Sequence, residues 1–138
     1  MEDRYISYEQ CIQRLLDVYK EHGQIILACD FDHTIFDWNG DGDTYPRVEA
    51  LLKRVRPYAK IIIYTCRPKK QYEMIKEYME TQGLPYDTIN EPIIKLADDD
   101  GTSKIYYNHL LDDKAGLFSS TVILGRFIDR LERELNNG

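Results

Sequence analysis

Long apolar runs are missing from this 138-residue chain. None approaches the roughly 20 residues that a membrane-spanning helix requires, so no bilayer span is expected. The opening MEDRYISYEQ has neither the basic start nor the apolar segment of a secretory leader, which points to a cytoplasmic protein. Cysteine is scarce: Cys11, Cys29 and Cys66 are odd in number and show no C-x-x-C spacing. That pattern argues against a disulfide framework or a zinc site and for reduced thiols. Positive charge is in deficit, with 18 Lys and Arg against 24 Asp and Glu for a net charge of -6. A generally basic, nucleic-acid-coating surface is therefore excluded, although a local basic strip at a site is not. Repeats and linkers are also lacking, and a chain of this length houses one domain, residues 1–138, with one active site.

What is present is concentrated in residues 25–37, IILACDFDHTIFD, where five apolar residues run into Asp30, a Phe and Asp32. A short apolar run rich in branched residues and ending abruptly in charge reads as a buried strand whose C-terminal end opens at a polar site. Side chains alternate along extended backbone, so acids two apart can converge on one small volume. Neighbouring carboxylates repel unless a cation sits between them. Mg²⁺ suits such a place, because it takes few carboxylates and leaves positions for water and a substrate phosphate. Asp-x-Asp by itself would equally suit a solvated acidic turn.

The rest of the chain alternates helical and extended patterns. Tyr8, Ile12, Leu15, Leu16 and Tyr19 mark a helix over residues 7–22, with Gly23 as a left-handed cap. After the first strand, a Gly- and Asp-rich loop over residues 38–45 leads to Pro46, which opens a second helix reaching Val55. IIIY, residues 61–64, is a second buried strand ending in Thr65, Cys66 and Arg67. Pro68 starts a third helix with Tyr72, Ile75, Tyr78 and Met79 as its apolar stripe, and a short strand follows over residues 86–89. Residues 90–101 read as irregular, with at most a brief extended piece at 93–96. A strand over residues 106–111 meets Asp112 and Asp113, and Leu117, Val122, Leu124, Phe127, Ile128 and Leu131 belong to a C-terminal helix. This alternation predicts an α/β fold of three layers, a Rossmann-like, mainly parallel sheet with helices on both faces. In such sheets ligands bind beyond the carboxyl ends of the strands. Asp30/Asp32, Thr65/Arg67 and Asp112/Asp113 all fall there.

The run DFDHT resembles the first motif, DxDx(T/V), of the haloacid dehalogenase superfamily of phosphatases. Later signals resemble the remaining motifs in order. Thr65 after IIIY looks like the second-motif hydroxyl. Lys104, eight residues before Asp112, looks like the third-motif lysine, with Lys95 as a rival, and HLLDDKAG looks like the fourth-motif acid pair. The resemblance spans residues 25–116 and implies a Mg²⁺-dependent phosphatase that works through an aspartyl-phosphate. It casts Asp30 as nucleophile, Asp32 as acid and base, and Thr65 and Lys104 as phosphoryl-binding catalytic residues. The implied metal ligands are Asp30, the main-chain carbonyl of Asp32, and the pair Asp112/Asp113, with Asp113 favoured as direct ligand and Asp112 through water. Phosphate esters resist attack because their anionic oxygens repel nucleophiles, so charge and positioning are what such a site must supply. A phosphotransferase or phosphomutase using the same intermediate, or a noncatalytic phosphate- or partner-binding module, are the alternatives.

Superfamily members usually select substrates with an inserted cap domain, and here residues 33–64 and 66–103 are used up by predicted elements and loops. A capless, open site follows, able to take a small phosphorylated molecule or a bulky one such as a nucleic-acid end, unless an oligomer partner covers it. Thr65-Cys66-Arg67 resembles small nucleotidase-like members, and Trp38 and Tyr45 are placed to stack on a base. Arg67 and Cys66 join Thr65 and Lys104 as candidate substrate contacts, Arg67 because a guanidinium grips phosphate bidentately, with a structural ion pair as its alternative. Residues 37–42 open like an EF-hand loop, but Val48 stands where the twelfth-position Glu belongs. Asp98, Asp99 and Asp100 suit a solvated turn, and His22, His33 and His109 show no paired metal spacing.

Overall fold

Ser7 starts the first helix by accepting a hydrogen bond from the Gln10 amide at 3.0 Å, the usual satisfaction of an orphan donor at a helix start. The helix, α1, spans Tyr8–His22 and ends at Gly23, whose φ of 75° lets its amide reach the Tyr19 carbonyl at 2.7 Å. In this computed structural model the described residues are 6–37, 40, 45–94 and 105–137. The other elements are β1 (Ile25–Asp30), α2 (Pro46–Val55), β2 (Ala59–Tyr64), α3 (Tyr72–Thr81), β3 (Thr88–Ile89), β4 (His109–Leu111) and α4 (Leu117–Asn137). No helix among the described residues is long and apolar enough to cross a membrane.

The strands form one sheet in the order β3-β2-β1-β4, and every pairing is parallel. Leu27 stands opposite Ile61 on one side and His109 on the other, and Cys29 opposite Ile63 and Leu111. Residues in register on parallel strands share a face. Ile25, Leu27, Cys29, Ala59, Ile61, Ile63, Ile89 and Leu111 all belong to one buried cluster, which also takes in residues of α1, α2, α3 and α4. The alternate residues Ile26, Ala28 and Ile62 are buried too, outside that cluster. The four described helices thus pack on one face, and the expected helices on the opposite face are not among the described elements. Right-handed crossovers explain the asymmetry. The steps β1 to β2 and β2 to β3 run the same way across the sheet, so their helices share a face. The step from β3 back to β4 reverses direction, and it runs through residues 90–108, of which 95–104 lie outside the described residues.

Several boundaries differ from the sequence reading, for local reasons. β4 is shorter than residues 106–111 because Asn108 engages β1 with its side chain: its Oδ1 accepts from the Ile26 amide at 2.7 Å. β3 is shorter than residues 86–89 because Asp87 does the same on β2, its carboxylate accepting from the Ile61 amide at 2.7 Å and from Arg56 at 2.6 Å. α3 begins at Tyr72 after a single 3-10 turn at Lys69–Gln71, with Pro68 extended ahead of it.

Candidate active site

β1 and β4 are adjacent strands at the point where the strand order reverses direction, the place where an open parallel sheet forms a crevice at its carboxyl edge. One residue beyond the Cys29–Leu111 pair stand Asp30 and Asp112, with Asp113 next. Register alone therefore puts carboxylates from two strands side by side. Asp30, Asp112 and Asp113 each offer an oxygen, and these oxygens lie within 4.8 Å of one another. Asp30 and Asp112 are half-buried, while Asp113 is exposed.

Thr34 is fully buried between them. Its hydroxyl accepts from the Asp113 amide at 3.0 Å and lies 3.3 Å from Asp30 Oδ2 and 3.4 Å from Asp113 Oδ1. It has one proton and donates to one of these carboxylates at a time. Burial raises the Asp30 carboxyl from its ordinary 3.8 to about 7, helped by its hydrogen bond with Asp113 and by the charges of Asp112 and Asp113. Three acids held this close carry a like-charge cost that a cation would offset.

Asp32 is elsewhere in the crevice. The chain after β1 folds back on itself, with the Ile35 and Phe36 amides both donating to the Phe31 carbonyl at 2.9 and 2.8 Å, and His33 at a φ of 65°. Phe31 and Phe36 stack 5.3 Å apart, and Tyr78 meets both edge-on. Arg67 lies 5.7 Å from the centroids of both Phe rings. Its fork donates to Asp32 through Nε, at 3.2 and 3.0 Å to the two carboxylate oxygens, and through Nη2 at 2.7 Å. Nη1 donates to Gln71 Oε1 at 3.0 Å. Of the two roles expected for Arg67, substrate contact or structural ion pair, the ion pair is the one formed here, with Asp32. The main-chain carbonyl through which Asp32 was expected to meet metal takes no part in that grip.

Thr65 sits at the end of β2, nearly buried. Its amide donates to Asn90 Oδ1 at 2.8 Å, and its carbonyl accepts from Asn90 Nδ2 at 2.7 Å. Asn90 Nδ2 also reaches the Tyr72 hydroxyl at 2.9 Å. The Thr65 hydroxyl accepts from the Arg67 amide at 3.1 Å, which fixes the bend that turns the chain toward Arg67. Asp32, His33, exposed Cys66, Arg67 and Gln71 line an open cavity of about 270 Å³. Lys104, its rival Lys95, Trp38 and Asp98, Asp99 and Asp100 lie outside the described residues, as does most of the EF-hand-like stretch.

The structure thus brings together Asp30, Asp112 and Asp113, and separately Asp32, Arg67 and Cys66 with Thr65 beside them. Thr34 and Asn90 were missed as site residues. Thr34 had a signal in its place within DFDHT. Asn90 had none, because its clamp on Thr65 spans 25 residues. Among the histidines, His109 is buried on β4 with Nε2 3.0 Å from the Ser120 carbonyl, a structural place, and burial holds it below its ordinary value. Cys29 packs in the core, where burial pushes its thiol well up. No family model matches the chain, and neither a curated protein nor a solved structure matches it.

Proposed function

We propose that the protein is a capless phosphatase of the haloacid dehalogenase type, hydrolysing a phosphate monoester with Mg²⁺ through an aspartyl-phosphate on Asp30, in the cytoplasm. The observation that carries this reading is the convergence of Asp30, Asp112 and Asp113 to within 4.8 Å at the carboxyl edge of adjacent parallel strands. The donor set fits the ion. It is all carboxylate oxygen, which suits a hard cation such as Mg²⁺. When bound, Mg²⁺ supplies positive charge against the phosphoryl oxygens.

The chain's own residues do the rest. An Asp30 carboxylate oxygen bonds to phosphorus in line as the ester P–O bond breaks, and the leaving oxygen takes the proton of the Asp32 carboxyl. Water then gives a proton back to Asp32, its oxygen bonds to phosphorus, and Asp30 and inorganic phosphate separate. Thr65 donates its hydroxyl to a phosphoryl oxygen, and Lys104 offsets charge, on the strength of its place in the sequence. A ring-bearing substrate such as a nucleotide or a polynucleotide end is favoured by an apolar cavity of about 260 Å³ on the same edge, lined by Tyr45, Pro46, Val48, Leu117 and Phe118 with the Arg47 guanidinium 5.6 Å over the Phe118 ring. The test is hydrolysis of 4-nitrophenyl phosphate with Mg²⁺. Turnover abolished by EDTA and by Asp30→Asn is the expected result. Stoichiometric phosphate binding without turnover in the wild type refutes it in favour of a binding module.

A further inference from the structure

Arg67 is held more firmly than a surface ion-pairing residue needs to be. Its side chain is 12% exposed, its guanidinium rests near two stacked Phe rings, and Gln71 fixes a third nitrogen. Its Nε and Nη2 edge is turned to Asp32. A two-point grip removes the freedom of a carboxyl to swing about its χ angles, which a single point charge does not. A catalytic acid is effective only when its oxygen sits within hydrogen-bond reach of the atom it protonates, and small displacements are costly.

We infer that Arg67 is a positioning residue, which fixes the Asp32 carboxyl for proton transfer to the leaving oxygen rather than serving chiefly as a phosphate contact. The inference rests on the phosphatase reading. It separates two substrate classes, because a nitrophenolate departs without a proton while an alkoxide does not. Loss of Asp32 placement therefore weighs on alkyl esters at the first chemical step and on all substrates at the water step.

The experiment measures kcat and kcat/KM with Mg²⁺ for 4-nitrophenyl phosphate and 2-phosphoglycerol in the wild type, Arg67→Met, Arg67→Lys, Asp32→Asn and the Arg67→Met/Asp32→Asn double variant. Arg67→Met keeps an apolar stem against Phe31 and Phe36, so packing is preserved, and thermal melts confirm the fold of each variant. Arg67→Met is expected to lower kcat/KM about 10²-fold on the alkyl ester and less than about fivefold on the aryl ester, as Asp32→Asn does, within the range for general acid catalysis. The double variant should lose no more than Asp32→Asn alone, and Arg67→Lys, which restores charge without the fork, should not rescue the alkyl ester. Equal losses on both esters with a raised KM overturn the inference and make Arg67 a phosphate ligand, and additive losses in the double variant overturn it as well. A wild type inactive on both esters overturns the phosphatase reading and this inference together.

Discussion

Replacing Asp30 by Asn should stabilise the metal-free protein while abolishing activity. The isosteric amide keeps an oxygen for the Thr34 hydroxyl and turns the other carboxylate oxygen into a donor toward the acids around it. The sign follows from linkage. In the folded state the Asp30 carboxyl titrates at about 7 against an ordinary 3.8, so between those values the folded protein holds a proton that the unfolded chain has lost. Stability therefore falls as pH rises through that window and stays low above it. For a fully desolvated group the gap amounts to about 4 kcal/mol. Asp30 is half-buried, and solvent screening reduces the figure to about 2 kcal/mol. Urea or thermal unfolding in EDTA should show Asp30→Asn above wild type by about 2 kcal/mol at pH 8, roughly 4–8 °C in Tm for a chain of this size. The gap should close by pH 4. Adding Mg²⁺ should raise the wild type and leave the variant nearly unmoved, since a ligand that binds only the folded state stabilises it by an amount that grows with the logarithm of its concentration relative to Kd. An Asp30→Asn protein less stable than wild type at pH 8, or a difference constant with pH, would show that the three acids do not repel as their geometry requires.

Asn90→Ala strands the amide and carbonyl of Thr65 at the end of β2, which should cost about 3 kcal/mol in urea unfolding. Asn90→Asp keeps the acceptor and should cost less. Burial holds His109 below its ordinary 6.5, so the folded state resists protonation and its stability is lost as pH falls below that value. His109→Gln, able to keep a bond to the Ser120 carbonyl, should flatten the wild-type decline between pH 7 and 5 in denaturation midpoints. Asp112→Asn and Asp113→Asn should each shrink the Mg²⁺-induced rise in Tm, the direct ligand more than the one acting through water, and equal full responses from both would remove the acid pair from the metal site.

Much of this was legible because it is encoded locally. Gly23 ends α1 as its freedom at positive φ requires, Pro46 opens α2, and apolar runs ending in acid mark β1 and β4 at their carboxyl edges. What the sequence hid was encoded at a distance. Asn108 and Asp87 replace main-chain ladder bonds with side-chain ones, shortening strands that composition would extend. Nor does the sequence say where a guanidinium points. Arg67 stands 35 residues from Asp32, and its direction follows from the Phe31–Phe36 stack, which forms only once the loop after β1 turns back. Helices on both faces were expected from alternation alone, whereas the face a helix takes depends on the direction in which each crossover runs.

The same register that assembles the acids also limits how they can relax. Asp30 and Asp112 stand one residue past a buried parallel pair, Cys29 and Leu111, and a one-residue slip of β4 would carry its core face to the opposite side of the sheet. The acids cannot separate by sliding a strand without dismantling the core beneath them. Thr34 limits them a second time, because its hydroxyl is bonded to the Asp113 amide and lies against both carboxylates. Repulsion that a flexible loop would dissipate by swinging apart is here stored at the strand ends. Stored in that way, it favours a cation over an empty site, and it does so through the sheet's own architecture.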